Sequence, residues 1–332
     1  MRVLIIATGS AKPFADQLAD RLGDRVVART HEVRQHVPEA LAAEATVLAR
    51  DSAADGLVSI GGGSATGLGK AVAVDTGLPL LAVPTTYAGS EATPVYGVTG
   101  ASKRTGRDPR ALPRVAVYDP ELTVTMPAHV TATSGLNALA HCVEALYAPG
   151  ANPVTALAAE EGARVLARAL PRATWNPLEL ADREDALYAA YLAGSAFAVA
   201  GGALHHTLCH LLGGTWGLGH GETHAVLLPH VTAYNAVAVP EEVGRVARAM
   251  GVSVAAQGIW DLARTVDAPS SLAGLGMPES GLDEAARRCV AAVGDRNPRA
   301  PDVASLRRLL DDAFHGRPPR CGSEPAWPEP SG

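Results

Sequence analysis

A change of hydrophobic rhythm near Pro127 constrains this chain more than any single motif. Before it, short apolar runs alternate with amphipathic stretches: RVLIIAT, a helical pattern from Phe14 to Leu22, RVVAR, and a second helical pattern from Pro38 to Arg50. The alternation continues through GLVSI, a glycine turn, a helix through Lys70 to Asp75, PLLAV, the loop PTTYAGSEATP and the run RVAVYD. Such βα alternation predicts a parallel sheet whose strands are buried on both faces. From His129 onward the sequence turns rich in alanine and leucine at helical spacing, over 131–147, 153–170, 183–200, 205–212, 240–250 and 254–266, and no strand pattern competes. The expected architecture is α/β plus all-α: a parallel-sheet domain over 1–127, a helical domain over 128–316, and a cleft between them as the expected site. The tail over 317–332, rich in proline and glycine, is expected to be disordered.

Composition narrows the function classes. At 332 residues the chain is long enough for two cores, and 47% apolar with 19% charged residues is ordinary for a globular protein. A net charge of −6 gives no basic field, which argues against nucleic acid and anionic membranes as partners. The four cysteines form no CxxC pair, as suits reduced thiols and a cytoplasmic setting. The apolar run Val3 to Ala7 is too short for a leader core or a membrane span and reads as a first buried strand. Only three lysines occur, Lys12, Lys70 and Lys103, so each invites a specific reason.

Two loops carry a ligand signal. GLVSIGGGSATGLGK places Gly61, Gly62, Gly63 and Ser64 between a strand and a helix start, where backbone amides can approach a phosphate and the helix dipole favours it. PTTYAGSE follows the next strand and would bring Thr85, Thr86 and Ser90 to the same sheet edge. The glycines match neither G-x-G-x-x-G with an acidic partner nor a Walker loop, and an ordinary tight turn explains them alone; the two loops together point to a nucleotide.

Six of the eleven histidines fall between His205 and His230. Asn137 and His141 are four apart on one helical face, as are His206 and His210, with His220 and His224 following a glycine turn. Thr207 stands where a zinc-protease HExxH would need glutamate, so that reading fails. Any one of these rings reads as readily as a satisfied core residue, His205, His224 and His230 in particular, but the crowding argues for metal or proton chemistry.

The segments GGGS, PTTYAGSE, KRTGRDPRALPRVAVYDPEL, SGLNALAHCVEALYAPGANP, HHTLCHLLGG, GETHAVLLPH and DLARTVDAPSSLAGLGMPE, in that order over nearly the whole chain, resemble the maleylacetate reductase branch of the iron-containing alcohol dehydrogenase superfamily. The resemblance implies an N-terminal dinucleotide-binding domain and a C-terminal helical domain of the iron-containing alcohol dehydrogenase and dehydroquinate synthase-like kind. It also implies a homodimer, NADH or NADPH as cofactor, and a small-molecule substrate, with hydride transfer of the maleylacetate to 3-oxoadipate type in aromatic catabolism. The superfamily's metal-ligand positions fall on Asn137, His141, His206 and His220, and His210 is the non-ligand histidine near substrate. Asparagine, typical of this branch, replaces an aspartate ligand, so a divalent metal is not expected to be essential, and His206, His210 and His141 are the expected proton-handling residues. By the same carry-over Lys103 joins the cofactor residues, and Tyr87, Asn137, Thr207 and His220 the substrate residues.

Three departures bear on activity. The family has a further β-hairpin before the strand at which this sequence starts, so that edge of the nucleotide domain is expected to be missing. The family reads HHKLCH where this chain has Thr207, which removes a cation useful to a dicarboxylate; Lys103, Arg104 and Arg107 are expected to compensate. Gly219 and Gly221 flank His220 where the family has a proline and a small residue, so more backbone freedom is expected there. The missing hairpin and Thr207 motivate an alternative: a repurposed homologue in a specialised biosynthetic pathway, acting on a less charged substrate, with non-redox acid/base chemistry as one route. Arg29 at the end of the second strand would meet a 2′-phosphate, and no acidic residue there selects NADH.

Overall fold

The computed structural model describes residues 1–100 and 103–321, with the side chain of Lys103 also outside the description. The chain folds as two compact units, Met1–Met126 and Pro127 onward. From residue 322 on, the expected tail lies outside the described residues.

The first unit contains β1 (Val3–Ala7), α1 (Lys12–Leu22), β2 (Val26–Thr30), α2 (Glu39–Asp51), β3 (Gly56–Gly61), α3 (Gly63–Thr76), β4 (Leu80–Pro84), β5 (Val95–Thr99), β6 (Lys103–Arg107) and β7 (Val115–Ala116). Its main sheet is parallel in the order β2-β1-β3-β4-β7. Every residue of β1 is buried, and alternate side chains go to opposite faces. Leu4 and Ile6 pack with Leu57 and Leu80 against Ala42, Ala45 and Ala49 of α2 and Leu68 and Val72 of α3. Val3, Ile5 and Ala7 pack with Val58 and Ile60 against Ala11, Ala15 and Ala19 at α1. The apolar runs that form β1 and β3 are thus strands covered on both faces, while β2 at the sheet edge is largely half-buried. Successive connections leave β1 toward β2 and then return past it to β3, so the β1/β3 boundary is the topological switch point, where open α/β sheets bind ligands.

Two features of this unit correct the sequence reading. Only Val115 and Ala116 of RVAVYD form the last strand. The segment Val95–Thr99 pairs antiparallel with Lys103–Arg107, a hairpin the charged run KRTGR conceals because it lacks an apolar face.

The second unit is helical: α4 (Ala128–Ala145), α5 (Pro153–Trp175), α6 (Leu180–Ala200), α7 (Leu204–Trp216), α8 (His220–Ala236), α9 (Pro240–Met250), α10 (Ala255–Thr265), α11 (Leu282–Val293) and α12 (Val303–Phe314). Thr131 through Ala145 of α4 are all buried, which makes it the central helix of this unit. Leu204, Leu208 and Leu212 of α7 share a core with Val226, Leu227 and Val231 of α8 and with Leu282, Leu306 and Leu310 of α11 and α12. The helix expected to stop at Leu170 runs on through Pro171 to Trp175. Proline costs one backbone hydrogen bond, but α5 buries Ala169, Leu170, Ala173 and Thr174 around it, and that packing outweighs the loss. Similarly, α7 continues past Leu212 to Trp216 and ends at Gly217, whose φ of +67° supplies the left-handed stop. Among the described residues, no single helix is long and apolar enough to cross a membrane.

Candidate active site

The carboxyl ends of β1, β3 and β4 meet at one sheet edge. Thr8 donates its amide to Ile60 O at 3.1 Å, and Thr85 donates its amide to Gly61 O at 3.0 Å. Gly61 has φ +146°, and a Cβ there would stand 2.8 Å from Thr8 Cγ2. A Cβ on Gly62 would meet Thr86 Cγ2 at 2.8 Å. Both positions therefore demand glycine, the first for backbone conformation and both for close approach. Gly62 is the N-cap of α3 and has no side chain to fill the first-turn amides; Ala65 donates its amide back to Gly62 O, which leaves those of Gly63 and Ser64 for an anion. Gly62, Ser64, Thr85, Thr86 and Ser90 are half-buried and Gly63 is exposed, so this edge is accessible to a ligand. The cradle fits the pyrophosphate of a dinucleotide.

Lys70 of α3 fixes the second loop to the first. Fully buried, its ammonium donates to Ser90 O (2.6 Å), Thr93 O (2.8 Å), Thr93 Oγ1 (3.0 Å) and Val95 O (2.9 Å). Burial pushes its pKa down to about 7, against the opposing pull of Glu91. Glu91 is itself buried, accepts from Tyr118 at 3.0 Å, and is pushed up by desolvation. Tyr87, assigned to substrate from sequence, is fully buried in the first unit with its hydroxyl 3.4 Å from Thr123 Oγ1. Arg29 is bound to Asp16 at 3.2 Å, and Arg104 pairs with Glu39. Lys103 lies in β6, but its side chain is outside the description.

The second unit collects six imidazoles from three helices. His141 comes from α4, His205, His206 and His210 from α7, and His220 and His224 from α8. Ring centroids lie 4.9 Å apart for His141 and His206, 6.1 Å for His206 and His210, 5.8 Å for His210 and His220, and 4.5 Å for His220 and His224. His206 is also 4.9 Å from His224, and Phe197 of α6 lies against both His141 and His206. Asn137, His141 and His206 are buried, whereas His210 and His220 are half-buried. The structure thus brings together all three expected proton-handling residues with His220, one helical turn of α4 from Asn137.

Burial governs the charge of these rings. It pushes His206 down to about 3 and His205 down to about 3, with neighbouring His206 adding to the shift in His205, and it drives His224 well below its ordinary value. His205 and His224, equally readable from sequence as core residues, are fully buried and share a hydrogen bond of 2.8 Å between Nε2 and Nδ1. His230 is buried against Trp260, 5.9 Å between centroids, and held down to about 4. Thr207 turns its hydroxyl back onto Ala203 O at 2.7 Å.

One residue escaped the sequence reading. Glu144 is the sole acid along α4, is fully buried, and lies 2.5 Å from His206 Nδ1. A charged residue inside an otherwise apolar helix was the available signal, but its partners are about sixty positions away in sequence.

Two sets of side chains bear on metal binding. Asn137, His141, His206 and His220 contain no anionic donor, and the nearby Glu144 carboxyl is engaged with His206 and two backbone amides. A neutral set of this kind does not fit a resident divalent iron, which favours charged ligands. His205, Cys209 and His224 have ligand atoms within 4.8 Å of one another. The facing nitrogens of the two histidines already share a proton, and a metal would strand an N–H on the far side of each buried ring.

Sequence and structure comparisons agree on the relatives. The family model for iron-containing alcohol dehydrogenase matches residues 1–120, and that for the C-terminal part of the Fe-containing alcohol dehydrogenase family matches residues 131–314. The chain is 48% identical over 316 residues to the maleylacetate reductase of Burkholderia cepacia, spanning 95% of this chain and 90% of that one. A putative alcohol dehydrogenase from Ralstonia eutropha JMP134 superposes with a TM-score of 0.93 at 48% identity, covering 96% of this chain and 91% of that one. The maleylacetate reductase from Rhizobium sp. strain MTP-10005 superposes with a TM-score of 0.90 at 43% identity, with the same coverage.

Proposed function

This chain belongs to the iron-containing alcohol dehydrogenase family, and from that premise we propose that it is an NAD(P)H-dependent reductase of maleylacetate or a closely similar oxo-acid. The observation that carries the reading is His206: a buried imidazole whose Nε2 has no hydrogen-bond partner, set among five further imidazoles and beside a buried carboxylate. A ring nitrogen left open in a dry interior costs free energy unless a ligand completes it.

When bound, the nicotinamide supplies the hydride. The first unit's contribution is to hold the cofactor's pyrophosphate on the amides at Gly62–Ser64 and beside the hydroxyls of Thr85 and Thr86, with Lys70 keeping the second loop in place. In the second unit, His206 Nε2 delivers a proton to the atom where negative charge collects as hydride arrives, and half-buried His210 and His220 carry protons between the buried rings and water. Positioned general acids of this kind contribute roughly 100-fold or more. No step uses a metal.

The test is the loss of nicotinamide absorbance on mixing the purified protein with maleylacetate and NADH, then NADPH. Turnover with at least one cofactor, reduced at least 100-fold in His206→Ala, is the expected result; a protein that neither binds nor oxidises either cofactor overturns the proposal. Thr207 favours a second reading, because its hydroxyl is spent on Ala203 and offers no cation to a dicarboxylate. A less charged substrate, turned over by acid/base chemistry without nicotinamide, is the outcome that would establish it.

A further inference from the structure

We propose that Glu144 is the positioning residue of the proton donor: it holds hydrogen on His206 Nδ1, so that Nε2 is the atom presented to substrate. The inference rests on the reading of His206 as the donor.

Three donors converge on one carboxyl group. Glu144 Oε2 accepts the Ala203 amide at 3.0 Å and Oε1 accepts the His205 amide at 2.7 Å, while Oε2 also lies 2.5 Å from His206 Nδ1. Ala203 is the N-cap of α7 and caps nothing with its own methyl group. Glu144, reaching from α4, therefore does for the first turn of α7 what a serine or aspartate cap would otherwise do, and the positive end of the helix dipole favours its charge. Backbone amides can only donate, so both oxygens act as acceptors toward them. That leaves His206 Nδ1–H as the third donor and Nε2 as the open lone pair.

The arrangement also resolves a conflict in the proposed chemistry. A neutral ring with its hydrogen on Nδ1 has no proton at Nε2 to give, so the donor must be the doubly protonated ring. An imidazolium and a carboxylate placed side by side form a pair with no net charge, which a dry interior tolerates far better than either ion alone. A proton taken up at Nε2 is balanced at once by Glu144, so the ring can be recharged between turnovers.

Glu144→Gln removes the charge and, because each carboxylate oxygen accepts one backbone amide, keeps one of the two capping contacts. With the amide oxygen kept on the His205 N–H, the amide nitrogen takes the Oε2 position and can only donate, which moves the ring hydrogen from Nδ1 to Nε2. In the wild type, nitrogen-15 NMR of labelled histidine is expected to show His206 protonated at Nδ1, and in Glu144→Gln at Nε2. The variant is expected to lose kcat about 100-fold, with the KM for NADH unchanged and the pH dependence of kcat displaced. A wild-type spectrum with hydrogen on Nε2 overturns the proposal without recourse to any variant, as does a folded Glu144→Gln enzyme with wild-type kcat and pH profile. Glu144→Asp, which keeps the charge, should recover part of kcat. Full activity in His206→Ala would instead defeat the donor assignment, while the NMR result would still report on the Glu144 contact.

Discussion

Lys70 is the residue on which the nucleotide-side loops depend. Removing it in Lys70→Met leaves the buried oxygens of Ser90, Thr93 and Val95 without their shared donor. The expected loss is about 3 kcal/mol of unfolding free energy, the upper end for hydrogen bonds to a charged group, with weaker nicotinamide cofactor binding, measured by denaturant titration and calorimetry. The pH dependence has a definite sign. Because the folded pKa near 7 lies below the ordinary lysine value of 10.5, the unfolded chain binds the extra proton between them, and stability rises with pH across that window. The advantage of wild type over Lys70→Met should thus widen by about 2 kcal/mol from pH 7 to pH 9, at roughly 1.4 kcal/mol per unit. Unchanged stability and cofactor binding in the variant would refute this role. At this scale the sequence revealed residue types better than partners. It marked lysine as scarce and histidines as crowded, but Lys70 meets the segment 90–95 only through the fold, and Glu144 meets α7 across some sixty residues.

Between elements, the contact of Gly62 with Thr86 joins the loop after β3 to the loop after β4. Gly62→Ala forces its new methyl group to within 2.8 Å of Thr86 Cγ2, so one loop must shift. Cofactor affinity is expected to fall about tenfold, and Thr86→Ser in the same chain, which deletes that methyl, is expected to restore most of it; titration of the single and double variants checks both. Additive losses would show that the two loops do not act together. The legibility of elements followed their periodicity. The buried strands and the amphipathic helices α9 and α10 stand out in the sequence, whereas α8 carries Pro229 and follows a glycine turn, and neither end of it is marked by a change of pattern. The β5/β6 hairpin has no apolar face to read, and α5 crosses a proline that local preference alone would treat as an end.

For the whole molecule, the histidine assembly predicts sensitivity to acid. His205 and His224 are neutral in the fold and lie below the ordinary histidine value of 6.5, His205 at about 3. The unfolded chain therefore takes up more protons as pH falls through 6.5, so the stability they permit is full above that value and is lost below it. Glu144, pushed up by burial, works in the opposite sense but is one group against two. A fall of the melting temperature setting in near pH 6.5 and steepening toward pH 5 is expected in calorimetry, and His224→Asn should flatten it; a melting temperature constant from pH 7 to pH 5 would contradict the assignment. The βα rhythm and the helical second half convey the division into two units at once, but the switch point between β1 and β3 exists only in the strand order, which no local pattern contains. The central claim is hydride transfer from nicotinamide with His206 supplying the proton, and isotope transfer tests it most directly. With NADH or NADPH deuterated at the transferable C4 position and maleylacetate as substrate, the account predicts one deuterium in each product molecule formed. Product without cofactor-derived deuterium, or formed with no cofactor oxidised, would contradict it.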